Sequence, residues 1–111
     1  MGSAVALQRA PLPAQAADQQ SALEARIRDA VQAAVHYPAA ARMMGVTGQA
    51  RVRLDYRSGV VDDPSLAQSS GAPMLDHAAI SAAQTAHYPA PPPELAGRLM
   101  RFLVWVEFRS A

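Results

Sequence analysis

The run LMRFLVWVEFR at residues 99–109 constrains this chain more than any other stretch. Met100, Phe102, Val104, Val106 and Phe108 alternate along it, the period-two signature of a strand with one buried face. Leu99, Arg101, Leu103, Trp105, Glu107 and Arg109 share the other face, which is neither cleanly polar nor cleanly apolar. Both Phe residues and the single Trp fall in this run, so it is expected to anchor a core and also to present a surface. The sequence ends two residues later, which predicts an edge with nothing after it to cover it. A long apolar strand left open at its edge invites pairing by another chain.

The segments before it supply the layer on which such a strand can pack. Residues 1–20 are rich in Ala, Pro and Gln without sustained periodicity, and read as a disordered linker behind a Met-Gly-Ser vector scar. Residues 21–111 form the domain. Ser21 and Glu24 have the spacing of a capping box, and Leu23, Ile27, Ala30, Val31, Ala34 and Val35 follow at helical intervals. Pro38 stops that helix and suits the start of a short second one, over residues 38–44, which Gly45 can close. From Gly48, the residues Ala50, Val52, Leu54 and Tyr56 alternate with Arg51, Arg53, Asp55 and Arg57, giving a strand with one dry and one wet face. Ser58-Gly59 predicts a tight turn into a second strand, residues 60–69, which Pro64 marks as an edge, a bulge or both. Pro73 opens the main helix, to about residue 87, with a stripe of Leu75, Ala78, Ala79, Ala82, Ala83 and Ala86. The stiff Pro89-Ala90-Pro91-Pro92-Pro93 connector leads through a short turn to the last strand. The order is ααββαβ, an α+β domain whose three-stranded antiparallel sheet packs on helices.

Several functions are disfavoured by what is missing. The 111 residues carry a net charge of +1 and no Cys, which excludes a disulfide framework, a thiol nucleophile and a zinc–cysteine site. His36, His77 and His87 lack metal-ligand spacing, and Asp62-Asp63 reads as a solvated acidic pair, so no metal and no cofactor is expected. No Ser sits in a nucleophile-elbow context, so no catalytic residue is assigned and the chain is not read as an enzyme. Arg51, Arg53 and Arg57 line one strand face, but Asp55 interrupts them and no aromatics interleave, which argues against nucleic acid. No apolar run reaches the length of a membrane span.

Taken in order, Tyr37-Pro38, Ala41, Arg42, Gly45, Gly48, the strand to Tyr56, Gly59-Val60-Val61, Ser69-Ser70-Gly71, Leu75-Asp76 with Ala78-Ala79, Tyr88-Pro89 and the closing strand resemble the TonB C-terminal domain. The resemblance covers residues 21–109. It implies the periplasmic domain of a single-pass inner-membrane energy transducer, joined by a Pro-rich linker to an anchor that works with the proton-driven ExbB–ExbD motor. It further implies that the domain binds the TonB box of outer-membrane transporters for iron-siderophore, haem or similar substrates by adding that peptide as a strand. On this basis the partner-binding residues are His36, Tyr37, Pro38, Leu99, Arg101, Leu103, Trp105, Glu107 and Arg109. A homodimer by strand exchange is a further expectation for the same edge. The chain departs from the family pattern in its shorter first hairpin, in Ala86 where Trp is common, and in His36 where Gln is frequent. The alternative is a TolA-like periplasmic scaffold for envelope integrity.

Overall fold

The computed structural model describes residues 14–109, in which seven short or medium elements follow one another. The first helix, α1 (Ala14–Ala33), begins well before the expected cap. Ser21 and Glu24 are exposed positions inside it, not its start. Residues 14–20 are almost all Ala and Gln, strong helix formers, and a cap signal only caps where the chain before it is not already helical. Ala16 is 7% exposed, so this added turn is held by packing as well. The linker reading is therefore overturned for residues 14–20, while residues 1–13 lie outside the described part. Leu23, Ile27 and Val31 form the buried line of α1; Ala30, Ala34 and Val35 are only partly buried.

A short helix α2 (Ala39–Met43) follows the corner at Tyr37-Pro38. It closes with Val46 N–H donating to Ala41 O and Gly45 N–H to Arg42 O, the paired bonds of a Schellman motif. Strands β1 (Gly48–Arg57) and β2 (Val60–Gln68) then make a hairpin in which Arg57 faces Val60 across the two-residue loop Ser58-Gly59. Both loop residues have positive φ, 51° and 84°, which is the type I′ geometry that matches the twist of the strands and for which Gly59 is well suited. Helix α3 (Pro73–Thr85), a 3₁₀ turn (Pro93–Leu95) and β3 (Met100–Phe108) complete the order.

The sheet order is β2-β1-β3, with both pairings antiparallel. The cleanest alternating strand is thus central and the last strand is an edge, as its pattern predicts. Register explains why β2 is the poorer edge. Between the pairs Arg53–Ser65 and Asp55–Asp62, both Asp63 and Pro64 stand against Leu54 alone, and Asp63 has φ +42°. This bulge absorbs the proline that could not donate to a ladder. A second irregularity leaves Ala67 unpaired. The β1–β3 pairing runs without a break from Gly48–Phe108 to Tyr56–Met100.

The core lies on one face of the sheet. Ala50, Val52, Leu54 and Tyr56 of β1 and Met100, Phe102, Val104, Val106 and Phe108 of β3 meet Leu23, Ile27 and Val31 of α1 and the small-residue stripe of α3. The alanines at 78, 79, 82 and 83 are all buried, and their size lets α3 lie close to the sheet. Three tyrosines fasten the loops with their hydroxyls: Tyr37 to Val46 O, Tyr56 to Pro89 O at 2.7 Å and Tyr88 to Ala83 O at 2.6 Å. Burial pushes the Tyr88 phenol up to about 12.

The Ser69-Ser70-Gly71 segment and Asp76 form one knot between β2 and α3. Ser69 Oγ donates to Asp76 Oδ2, and Ser70 donates to Oδ1 from both its N–H and its hydroxyl, each at 2.7 Å. Gly48 packs on this knot, and a Cβ there would stand 3.3 Å from Ser70 O, so a side chain would push β1 away from it. Burial pulls the Asp76 carboxyl upward, but the hydrogen bonds from Ser69 and Ser70 outweigh it and the net shift is downward. A lowered folded-state pKa means that this stabilisation is complete above the unfolded value near 3.8 and drains as pH falls through the folded one. Asp76→Ala is expected to cost about 2 kcal/mol at pH 7, since it strands several donors at once. Urea unfolding should show that gap shrinking between pH 7 and pH 3; an unchanged midpoint at pH 7 would contradict the role given to the knot.

Candidate functional site

The outer edge of β3 can be built residue by residue from its register. In an antiparallel ladder, directly opposed residues alternate between pairs that exchange hydrogen bonds and pairs whose N–H and C=O groups point away from each other. The N–H and C=O of Glu107 are bonded outside the sheet, to Gln32 of α1, so the Gln49–Glu107 pair is of the second kind. The unbroken register carries that alternation to Arg51–Trp105, Arg53–Leu103 and Asp55–Arg101. Arg101, Leu103 and Trp105 therefore turn their backbone donors and acceptors outward along a free edge, and none of these groups is bonded among the described residues.

The side chains of the same residues are arranged differently from their backbones. Arg101 reaches across to Asp55, with Nε 2.8 Å from Oδ1, and its guanidinium holds the Asp55 carboxyl below the usual carboxylate value. Leu103 is 38% exposed on the face opposite the helices. Trp105 lies on that face too, half-buried, with the Arg51 guanidinium 5.4 Å from its ring centroid. This cation–π contact occupies Arg51, whose Nε has no hydrogen-bond partner. Trp105 is thus outside the core and available beside the edge, where it borders a hollow shared with Arg28, Asp29, Gln32, Gln49 and Glu107. The Glu107 side chain pairs with Arg109 at 2.8 Å.

The remaining expected residues separate into three places. Tyr37 sits at the end of β3, edge-on to Phe108 with ring centroids 5.7 Å apart and Arg42 over its own ring. His36 and Pro38, one residue either side, turn instead toward α3 and line a groove with Met74, His77 and Ser81. Leu99 precedes β3 and lies beside the hairpin residues Arg57, Ser58 and Val60. The edge, Tyr37 and the hollow at Trp105 are contiguous through Gln32 and Glu107. Leu99 lies at the hairpin end of the same outer face, beside the Asp55 that Arg101 binds. His36 and Pro38 are not part of that surface. Among the described residues no three His, Cys, Asp or Glu side chains gather as metal ligands would.

The expectation of a wholly uncovered edge needs correction at Glu107, because Gln32 satisfies both of its outward groups at 2.9 Å. Nothing in the sequence connects residues 75 positions apart, and only the packing of α1 beside β3 brings them together.

Among known proteins, the family described as Gram-negative bacterial TonB protein C-terminal matches residues 33–109. Two NMR structures of the Helicobacter pylori TonB-CTD share the fold. The longer fragment is 20% identical with a TM-score of 0.68, covering 92% of this chain and 97% of that one. The shorter is 23% identical with a TM-score of 0.61, covering 78% and 91%. No curated protein sequence matches. A family match across well over half of the residues, on the fold those structures display, makes this chain a member of the Gram-negative bacterial TonB C-terminal family.

Proposed function

We propose that this TonB-type energy-transduction domain grips the TonB box of an outer-membrane transporter by adding it as a fourth strand to the outer edge of β3. The family is periplasmic, non-catalytic and works with outer-membrane TonB-dependent receptors. The observation that carries the finer reading is the row of outward backbone groups on Arg101, Leu103 and Trp105 at the unbulged edge of the sheet. The opposite edge, interrupted at Asp63-Pro64 and flanked by Asp62, is a poor template. Backbone pairing tolerates varied peptide sequence, while Trp105, Leu103 and the adjoining hollow supply side-chain selection. Several ladder bonds along one strand also share a pull, which suits force delivered from an ExbB–ExbD motor through an inner-membrane anchor. Among the described residues no helix is long and apolar enough to cross a membrane. Uptake of iron-siderophore, haem or a similar substrate follows as the cargo class. The ordered TonB motifs favour this reading over a TolA-like scaffold.

Ordering a flexible peptide offsets much of the gain, so affinity is expected to be modest. Amide-resolved NMR titration of the domain with a synthetic TonB-box peptide tests the reading. Shifts should centre on residues 101–105. Shifts confined to residues 60–70 or to the helices, with the last strand spared, would refute it.

A further inference from the structure

The side chain of Gln32 stands where the next residue of a docked strand would stand. Its amide presents a donor and an acceptor together, as a peptide unit does, and both are used: Nε2 donates to Glu107 O and Oε1 accepts from Glu107 N–H, each at 2.9 Å. The helix that carries it is fixed in place by Leu23, Ile27 and Val31, all buried in the core. Gln32 is therefore held against the edge by α1 and is not a freely wandering surface side chain. Beyond it, Arg28 and Asp29 flank the hollow next to Trp105.

We propose that Gln32 is the register stop of the β3 edge. It rests on the docking reading above and adds a limit to it: a peptide strand pairs with Arg101, Leu103 and Trp105 and goes no further, because the groups of Glu107 are already satisfied. A stop of this kind fixes the frame in which side chains of the peptide meet Leu103 and Trp105. Since a slip along a strand moves every side chain to a new position, the frame matters as much as the affinity. The same bond shortens the edge open to a second copy of the chain.

The test uses wild type, Gln32→Ala and Gln32→Glu, all at an exposed helical position that tolerates them. Glu can accept from Glu107 N–H but cannot donate to its carbonyl. In the free wild-type domain, amide exchange at Glu107 should be slower than at Leu103 and Trp105; in Gln32→Ala it should match them. With a synthetic TonB-box peptide added, protection should rise in wild type at Leu103 and Trp105 and stay unchanged at Glu107. In Gln32→Ala it should extend to Glu107, and binding should tighten about three- to ten-fold, the size of one added hydrogen-bonded pair. Gln32→Glu should fall between the two. Equal affinity and an equal protected frame in wild type and Gln32→Ala would overturn the stop. So would peptide-induced protection of Glu107 in wild type with a shifted Gln32 side-chain amide signal, because the amide is then displaced. Protection absent from Leu103 and Trp105 in every variant would overturn the docking reading itself, and the stop with it.

Discussion

Leu103→Pro is expected to weaken TonB-box peptide binding at least about ten-fold while the domain stays folded. The proline removes an N–H that points out of the sheet, because the Arg53–Leu103 pair exchanges no hydrogen bonds. The β1–β3 ladder therefore loses nothing, and an edge strand with its N–H toward solvent is where proline is tolerated. For a docking strand the loss is larger than one bond. The ring occupies the space of the incoming carbonyl, at the middle of the three outward residues. Arg101→Ala and Glu107→Ala make a useful contrast, since their side chains bind Asp55 and Arg109 and their removal leaves the backbone edge intact. These two should change affinity by less than about three-fold. Calorimetric titration of folded variants, with circular dichroism as the control, decides the matter. A Leu103→Pro domain that binds as well as wild type would mean that the peptide does not pair with this edge.

Phe102→Ala should show the opposite division, destabilising the domain by about 3–5 kcal/mol. Phe102 is 1% exposed on the inner face of the same strand, with its ring 6.0 Å from that of Tyr56 in an edge-to-face pair. The facing stripe of α3 is mostly alanine, at 78, 79, 82 and 83, and those short side chains cannot reach in to close the gap. Such a loss is a large share of the roughly 5–15 kcal/mol that a domain of this size has. Urea unfolding would register it as a lower midpoint, with peptide affinity of the still-folded fraction little changed. If stability were untouched, β3 would not be the core strand that its pattern implies. Adjacent residues of one strand thus answer different questions: Phe102 holds the sheet to the helices, while Leu103 offers its backbone to a partner.

That division was readable in the chain itself. Period-two alternation depends only on local backbone geometry, so residues 99–109 announced a strand, its dry face and its mixed face without any knowledge of neighbours. Pro64 likewise announced a poor edge, since a missing N–H is a covalent fact wherever the strand lies. Ser58-Gly59 and Pro73 marked turn and helix start for equally local reasons. The knot of Ser69 and Ser70 on Asp76 was visible only as a family motif; its hydrogen bonds gave the physical reason for it.

Other features were decided by tertiary structure. Whether Ser21 caps a helix depends on what precedes it, and the Ala- and Gln-rich residues before it continue the helix while Ala16 is buried. His36, Tyr37 and Pro38 are neighbours in sequence, yet the corner sends Tyr37 to Phe108 and its two flanking residues to α3. Trp105 belongs to the mixed face by its pattern, but only the register that sets it opposite Arg51 gives it a cationic partner beside the edge. Gln32 is the clearest case. An exposed glutamine on a helix carries no local signal, and its meaning comes from α1 packing against β3 at one height and no other. Backbone periodicity is a property of consecutive residues; the pairing of a helix side chain with a strand edge is a property of two surfaces in contact, and sequence spacing holds no record of it.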